Sequence, residues 1–275
     1  CAVANPDEKL KELFDEGYDY IKLDFLTHGS LEGRHFNPIV TTGKAAYNFG
    51  MRHIVKRLDA GTVGRPVFIS LSIAPMFPHG YGHSRRISCD VFADIGASEY
   101  LLNSQNYGWW QARNLYQFND PDSACVYQAS GENPTTEAEG KTRFTASVVS
   151  GGLMLQGDNL TIPQARDRVR TIFSNQDLLD LARETPPFRP VQGDTHERGG
   201  DLFVYQEDGD IIYLVAFNFS RDSDREVSVP LDRLGLAGGW QTYELWTKAK
   251  GTVEGSVQIK LAPKDCAVLR MTRAK

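Results

Sequence analysis

The chain has 275 residues, 41% of them hydrophobic and 24% charged, with a formal net charge of -5. That length allows one large or two medium cores. The acidic balance lacks the basic footprint of a nucleic-acid binder, and no apolar run reaches the ~18 residues of a membrane span, so neither nucleic acid nor a membrane is expected as a partner.

Residues 6–16 pattern as an amphipathic helix that Gly17 stops. Neither a Met nor a basic-then-apolar leader precedes it, so the chain is expected to begin within a fold. Residues 20–25 (YIKLDF) read as a short buried strand from their aromatic and β-branched content. Lys22 and Asp24 sit inside it two residues apart and therefore share a face. Burying two charges costs several kcal/mol unless they pair or have chemical work to do.

A helix follows at about 43–60, and then a near-continuous apolar strand at 66–74, the pattern of a parallel sheet covered on both faces. A loop rich in Gly, His and Pro (PMFPHGYGH) leads to the short segment RRISCDVF. Residues 97–116 are expected to be helical, with Trp109 and Trp110 partly in the core. A strand at 119–127, a helix at 136–149, a strand at 153–156 and a long helix at 162–183 complete the alternation, with Pro163 in the last helix's first turn. Asn159-Leu-Thr and Asn218-Phe-Ser fit the glycosylation sequon. The four cysteines, Cys1, Cys89, Cys125 and Cys266, form no C-x-x-C pair, which argues against structural zinc and leaves disulfides open.

This sustained alternation gives about four β/α units, where a (β/α)8 TIM barrel needs eight in ~250 residues. Residues 1–190 are therefore read as half of such a barrel, ending at the Pro-rich ETPPFRPV. Residues 195–275 change texture: LFVYQ, DIIYLVAFNF, REVSVPL, WQTYELW, SVQIKL and CAVLRM are short strands between D-G, G-G and K-G turns, an antiparallel β-sandwich domain. Half a barrel would leave strands 20–25 and 153–156 as sheet edges. The expectation is that another chain, or a preceding segment, supplies the missing N-terminal barrel half.

In parallel α/β folds the chemistry gathers at the C-terminal ends of strands. Asp24 lies at such an end, with Lys22 one inward position below it. Arg86-Ile-Ser-Cys-Asp90 again sets a cation beside a carboxylate, Asp94 follows, and Asn119-Asp-Pro-Asp122 leads into the next strand. Carboxylates from separate strands beside a Lys and an Arg suit glycoside hydrolysis. One carboxylate must stay ionised, which a neighbouring cation favours; the other must hold a proton to give to the leaving oxygen.

The chain resembles the C-terminal part of melibiase-like enzymes of the α-galactosidase clan, glycoside hydrolase families 27 and 36. YIKLDF resembles the nucleophile strand, Arg86-x-x-x-Asp90 the acid/base segment, and Asn119-Asp-Pro-Asp122 the turn before the seventh strand. LMLQGDNL, with PQARDRVRTIFSNQDLLDLAR after it, resembles the last barrel strand and helix. The resemblance implies the C-terminal half of a catalytic (β/α)8 barrel and a retaining exo-hydrolase of terminal α-linked sugars, most of all α-galactosides. Asp24 is then the nucleophile and Asp90 the acid/base, with Lys22, Arg86, Ser72 and Asp122 as substrate-binding residues. The implied partner is an oligosaccharide or glycoconjugate, and no cofactor is implied.

One departure bears on the sugar. Where the family carries an acidic contact after its fifth strand, this chain has Ser72-Ile73-Ala74-Pro75, which leaves α-glucosides and β-L-arabinopyranosides as alternatives. A sugar-binding relative without the chemistry is a further alternative. Val91-Phe-Ala-Asp94-Ile offers Asp94 as another acid/base, but anchoring on R-x-x-x-D accounts for both Arg86 and Asp90. The six histidines show no metal-ligand spacing; His79 and His83 share a loop and are the one pair to weigh, with no metal expected.

Overall fold

The structure, a computed structural model, describes residues 6–129, 133–184, 186–193, 195–196 and 198–274; Cys1 lies outside them. The chain divides into two compact units, residues 1–86 with 114–120 and residues 87–113 with 121–275.

The first unit contains α1 (Pro6–Asp15), β1 (Tyr20–Leu23), α2 (Gly43–Leu58), α3 (Ala60–Val63), β2 (Phe68–Leu71), β3 (Ser84–Arg86) and β4 (Phe118–Asp120). Its four strands are all parallel and lie in chain order, β1-β2-β3-β4. Ile21, Ile69 and Leu71 pack against Tyr47, Met51 and Leu58 of α2. Each such side chain contributes roughly 1.5–3 kcal/mol on burial. Helix α2 starts where Thr42 accepts the Ala45 N–H at 3.1 Å, an N-cap. Gly43 is obligatory there, since a Cβ would stand 2.1 Å from the Ser30 carbonyl oxygen.

Both strands leading to the expected site are shorter than the apolar runs that announce them. β1 stops before Phe25 (φ 57°) and β2 before Ile73 (φ 42°), both in the left-handed region. For a β-branched residue such as Ile73 that backbone is strained. The Ile73 carbonyl takes the Thr27 N–H at 2.6 Å and the Thr27 hydroxyl at 2.5 Å, so the two loops fix one another.

The second unit contains α4 (Ile95–Gly108), β5 (Ser123–Ala124), α5 (Glu137–Val149), β6 (Leu155–Gln156), α6 (Pro163–Phe173), α7 (Gln176–Glu184) and β7 (Arg189–Pro190). These lead into β8 (Leu202–Gln206), β9 (Ile211–Phe217), β10 (Arg225–Pro230), β11 (Trp240–Glu244), β12 (Lys250–Val253), β13 (Ser256–Leu261) and β14 (Cys266–Arg273). A six-stranded sheet has the order β12-β11-β14-β9-β8-β7, β10 pairs with β13, and β5 pairs with β6 in parallel. Period-2 alternation sorts the six-stranded sheet's side chains between two cores. Phe203, Val215, Phe217 and Val268 join the helical core under α4, α5 and α7. Their neighbours Leu202, Val204, Leu214 and Ala267 turn the other way, onto β10 and β13. This is the antiparallel β-sandwich expected from the strand texture.

Several boundaries differ from expectation, each for a local reason. The expected helix at 162–183 is two helices, because Asn175 breaks it: its amide donates to the Leu245 carbonyl at 2.9 Å and its oxygen accepts from the Leu178 N–H at 3.4 Å. The expected helix at 97–116 ends at Gly108, and Trp109 and Trp110 follow in a 3-10 turn, 39% and 40% exposed. Pro121, which lacks an N–H, and Asp122 (φ 69°) interrupt the expected strand at 119–127. Asn218 is 2% exposed and donates to the Ser223 and Ala262 carbonyls at 2.8 Å each, so its sequon is structural. Cys89, Cys125 and Cys266 are free thiols. Among the described residues no helix is long and apolar enough to cross a membrane.

Candidate active site

The register of the parallel sheet lays the expected residues in rows. Lys22 is paired with Ser70, and Ser70 with Ser84. One pleat further on, Arg86 is paired with Asp120. Continuing the same register brings Asp24 opposite Ser72 and Ser72 opposite Arg86; the Ser72 N–H to Leu23 carbonyl bond, at 2.7 Å, carries the ladder to that point. Asp24, Ser72, Arg86 and Asp120 thus form a row at the C-terminal ends of four strands, with Lys22 and Ser70 in the row beneath. Residues two apart share a face, so all six side chains project from the same one.

Asp24 is exposed at the end of β1. Burial raises its pKa, but four other effects outweigh this: the Ser72 hydroxyl, the Phe25 N–H, and the charges of Lys22 and Arg86. The net result is a carboxyl held below its ordinary value. The Phe25 N–H reaches the Asp24 Oδ1 at 2.7 Å, and Phe25 itself adopts the left-handed conformation just beyond the strand. Ser72, expected to contact the sugar, is 2% exposed, and its hydroxyl is the largest of the influences that lower the Asp24 pKa.

Asp120 was not singled out from the sequence, where Asp122 was chosen from the same Asn119-Asp-Pro-Asp122 segment. The structure makes Asp120 the hub. It is fully buried, its Oδ2 accepts from the Ser70 hydroxyl at 2.9 Å, and it lies 3.6 Å from the Lys22 Nζ. Its signal was position: it is the last strand residue before Pro121 and the register partner of Arg86. Arg86 is 8% exposed at the end of β3. Its neighbour Arg85 is directed elsewhere and clamps the Ala74 carbonyl at 3.2 and 2.9 Å.

Asp90, Asp94 and Asp122 belong to the second unit. Asp90 is exposed in the irregular stretch between β3 and α4. Asp122 accepts the Val91 N–H at 2.9 Å, fixing the backbone next to Asp90. Asp94 caps α4 by accepting the Gly96 N–H at 2.7 Å, and its carboxylate receives the two terminal Arg221 nitrogens, Nη2 and Nη1, at 2.9 and 2.8 Å. Burial raises the Asp94 pKa, but Arg221 and the Gly96 N–H win and hold it low. The Asp94 carbonyl is braced by buried Arg143 at 2.8 Å.

The two loop histidines serve the fold. His83 accepts the Ile69 N–H at 2.9 Å and stacks on Phe68, while His79 meets Phe77 and Tyr116 edge-on. No group of three or more potential metal ligands is gathered among the described residues.

The arrangement in the first unit is an ionised, solvent-facing carboxylate, oriented by a hydroxyl and a backbone N–H and flanked by two cations. It is a carboxylate equipped to attack an electron-poor carbon or to stabilise a cationic centre.

Residues 204–271 match the family model of the alpha galactosidase C-terminal beta sandwich domain. No curated protein matches the sequence. Among solved structures, the chain is similar to a family 27 β-L-arabinopyranosidase from Geobacillus stearothermophilus, with 18% identity and a TM-score of 0.73 over 98% of this chain and 62% of that one. It is also similar to α-galactosidase I from Mortierella vinacea, with 17% identity and a TM-score of 0.75 over 100% of this chain and 74% of that one. A third similarity is to the isomalto-dextranase of Arthrobacter globiformis T6 in complex with panose, with 18% identity and a TM-score of 0.69 over 98% and 48%. The chain therefore spans 62% of the arabinopyranosidase's length. At these identities the likeness is one of fold: part of a parallel α/β barrel followed by a β-sandwich. The chain is like the C-terminal part of a melibiase-like protein.

Proposed function

We propose that this chain is the C-terminal portion of a retaining exo-glycoside hydrolase that removes terminal α-linked sugars, with α-galactosides as the first substrate class. Residues 1–190 are the C-terminal half of its catalytic barrel and 195–275 its sandwich domain. The observation that carries the reading is the Asp24 carboxylate, exposed at a strand end, oriented by Ser72 and Phe25 and held ionised beside Lys22 and Arg86. A nucleophile in this chemistry must be charged, open to substrate and fixed in direction.

Asp24 attacks the anomeric carbon and forms a covalent glycosyl ester, while Asp90 protonates the departing oxygen and then activates water for hydrolysis. Two features support Asp90 as that second carboxyl. Asp122 pins the adjacent backbone, and Asp94, the other candidate, is already committed to a helix cap and to Arg221. Lys22 and Arg86 hold sugar hydroxyls and keep Asp24 charged, and Asp122 acts beside the substrate through its grip on Val91. The remaining barrel half comes from a segment or chain outside these 275 residues: β1 has a strand neighbour on one side only among the described residues.

Ser72, where an acidic contact was expected, keeps two neighbouring sugar classes open. The similar folds named above are those of an α-galactosidase, a β-L-arabinopyranosidase and an isomalto-dextranase. The deciding experiment incubates the complete protein with nitrophenyl α-galactoside, β-L-arabinopyranoside and α-glucoside. Release from one of them that disappears in Asp24→Ala supports the reading. A complete protein that binds sugars but turns over no glycoside in a broad panel would make it a lectin-like relative instead.

A further inference from the structure

The six-stranded sheet carries a cross-strand row of side chains that hydrolysis does not use. Tyr205 on β8 pairs with Tyr213 on β9, Tyr213 with Arg270 on β14, and Arg270 with Tyr243 on β11. Register partners on neighbouring strands share a face. The adjacent row of Phe203, Val215, Val268 and Leu245 is buried in the helical core, so the tyrosine row is where this face emerges from it. Opposite stands α7, whose Asp177, Leu181 and Glu184 recur at intervals of four and three and so lie on one helical face. Between helix and sheet is a cleft of ≈ 300 Å³, at the low end of the about 300–1,000 Å³ typical of small-molecule sites.

The cleft's chemistry is mixed in a particular way. The Tyr205 and Tyr213 rings are within 22° of parallel, with centroids 6.3 Å apart. The Tyr243 hydroxyl donates to Asp177 at 3.3 Å, and Arg270 is the register partner of Tyr213. Asp177 is neutralised by Lys248 at 2.8 Å and Asp180 by Arg183 at 2.9 Å. The side chains of Glu184 and Glu207, which also line the cleft, make no hydrogen bond or ion pair among the described residues.

We propose that this cleft is a non-catalytic binding site for a neutral oligosaccharide. A pyranose offers C–H patches that aromatic rings cover and vicinal hydroxyls that carboxylates and a guanidinium take as donors and acceptors. A wholly apolar ligand would strand the charges that line the cleft. A small cation would be repelled by Arg270, and of the four carboxylates Asp177 and Asp180 are already paired with Lys248 and Arg183, while the stacked tyrosine rings would be left without a role. A sugar satisfies both kinds of wall. This inference does not rest on the hydrolytic reading.

The test is affinity electrophoresis of the complete protein in native gels containing galactomannan, arabinogalactan or dextran. Retardation in at least one gel is expected, with binding at least tenfold weaker in Tyr205→Ala and Arg270→Met. Exposed Glu207→Gln, which removes no packing, should also weaken it, and circular dichroism verifies that each variant is folded. Asp24→Asn should be retarded like the wild type, so loss of hydrolysis and loss of this site are separable. Mobility unaffected by all three glycans overturns the proposal. So does retardation that Arg270→Met and Glu207→Gln leave unchanged, or a cleft that binds spermidine but no glycan.

Discussion

The Lys22 ammonium lies 3.6 Å from the Asp120 carboxylate, although the two residues stand on the first and fourth strands of one sheet. Three strand spacings amount to ~14 Å in a flat sheet. Ser70 reaches the same carboxylate from the second strand at 2.9 Å. The sheet must therefore curl so that its polar face is concave, as an arc of a barrel does. The curl converts a row of separate strand ends into one polar cluster, and the answer to why Lys22 is tolerated in an apolar strand is Asp120.

The pair has an asymmetry that stability measurements can read. Asp120 is fully buried, whereas the Lys22 side chain is 28% exposed. Lys22→Met removes a cation from a buried carboxylate that cannot reach water; Asp120→Asn leaves an ammonium that can. Lys22→Met should therefore be the more destabilising, on the order of 2–4 kcal/mol against about 1–2 kcal/mol for Asp120→Asn. Urea denaturation of both variants checks the order, and the reverse order would mean that Asp120 is held mainly by other groups.

Asp24 is the second point of test. In a preparation that hydrolyses aryl glycosides, Asp24→Ala should abolish turnover, and azide should restore it by attacking in place of the missing carboxylate. The azide product should have inverted configuration, while the wild-type enzyme's first product, followed by NMR, should retain it. An inverted first product would recast Asp24 as a general base that positions water.

Acid sensitivity should follow from how Asp24 is held. Burial raises its pKa, and the Ser72 hydroxyl is the largest of the groups that bring it below the ordinary value. A group whose folded pKa is depressed contributes stability above its unfolded pKa and loses it as pH falls through the folded one. Activity that requires the ionised form should likewise persist below the ordinary aspartate range near ~3.9 and fail at lower pH. Ser72→Ala should move the acid limb of kcat/KM upward in pH. An unmoved limb would mean that the serine is packing rather than tuning.

Much of this site could be read from the residues alone, and the remainder shows what a one-dimensional pattern omits. Lys22 and Asp24 were legible because a strand's period of two is local. Arg86 drew notice through its R-x-x-x-D spacing to Asp90, which belongs to the other unit, and the sandwich was legible from repeated apolar runs and turns. Asp120 was passed over for Asp122 because only the curl of the sheet brings it to Lys22. The left-handed Phe25 and Ile73 carry no sequence mark, since neither is glycine. Asp94 was kept as an acid/base alternative although Asp94-Ile-Gly also fits a helix cap. Strand β12 (KGTV) was missed because it is polar and lies at a sheet edge, with no core face to impose alternation.

Asp94 and Asp90 should separate cleanly. Asp94→Ala removes a helix cap and the Arg221 contact, and should cost about 1–2 kcal/mol, with Asp94→Asn milder because asparagine still caps. The Asp94 pKa is depressed despite burial, which opposes the shift, through Arg221 and the Gly96 N–H. Its contribution is therefore present above the unfolded pKa and lost on acidification through the lower folded one, and the difference between Asp94→Ala and wild type should shrink there. Asp90→Asn, at an exposed position, should cost less stability than Asp94→Ala and strike hydrolysis of substrates with poor leaving groups. A stability loss from Asp90→Asn equal to that from Asp94→Ala would reverse the two assignments.

Asp122 supplies the last test, because its role is exerted through a neighbour. It sits at φ 69° and accepts the Val91 N–H at 2.9 Å. Asp122→Asn keeps both an acceptor and a residue that tolerates left-handed backbone, whereas Asp122→Ala loses the acceptor and strains the turn. Loosening Val91 releases Asp90, so proton donation should suffer before substrate binding does. Asp122→Ala should lower kcat on glycosides with poor leaving groups by roughly 10²-fold, the scale of general acid catalysis. KM should stay nearly constant, and activated aryl glycosides, which need little protonation, should be almost unaffected. Asp122→Asn should recover most of the loss. A rise in KM in both variants with kcat preserved would instead show that Asp122 touches the sugar, and its hold on Val91 would then be incidental to catalysis.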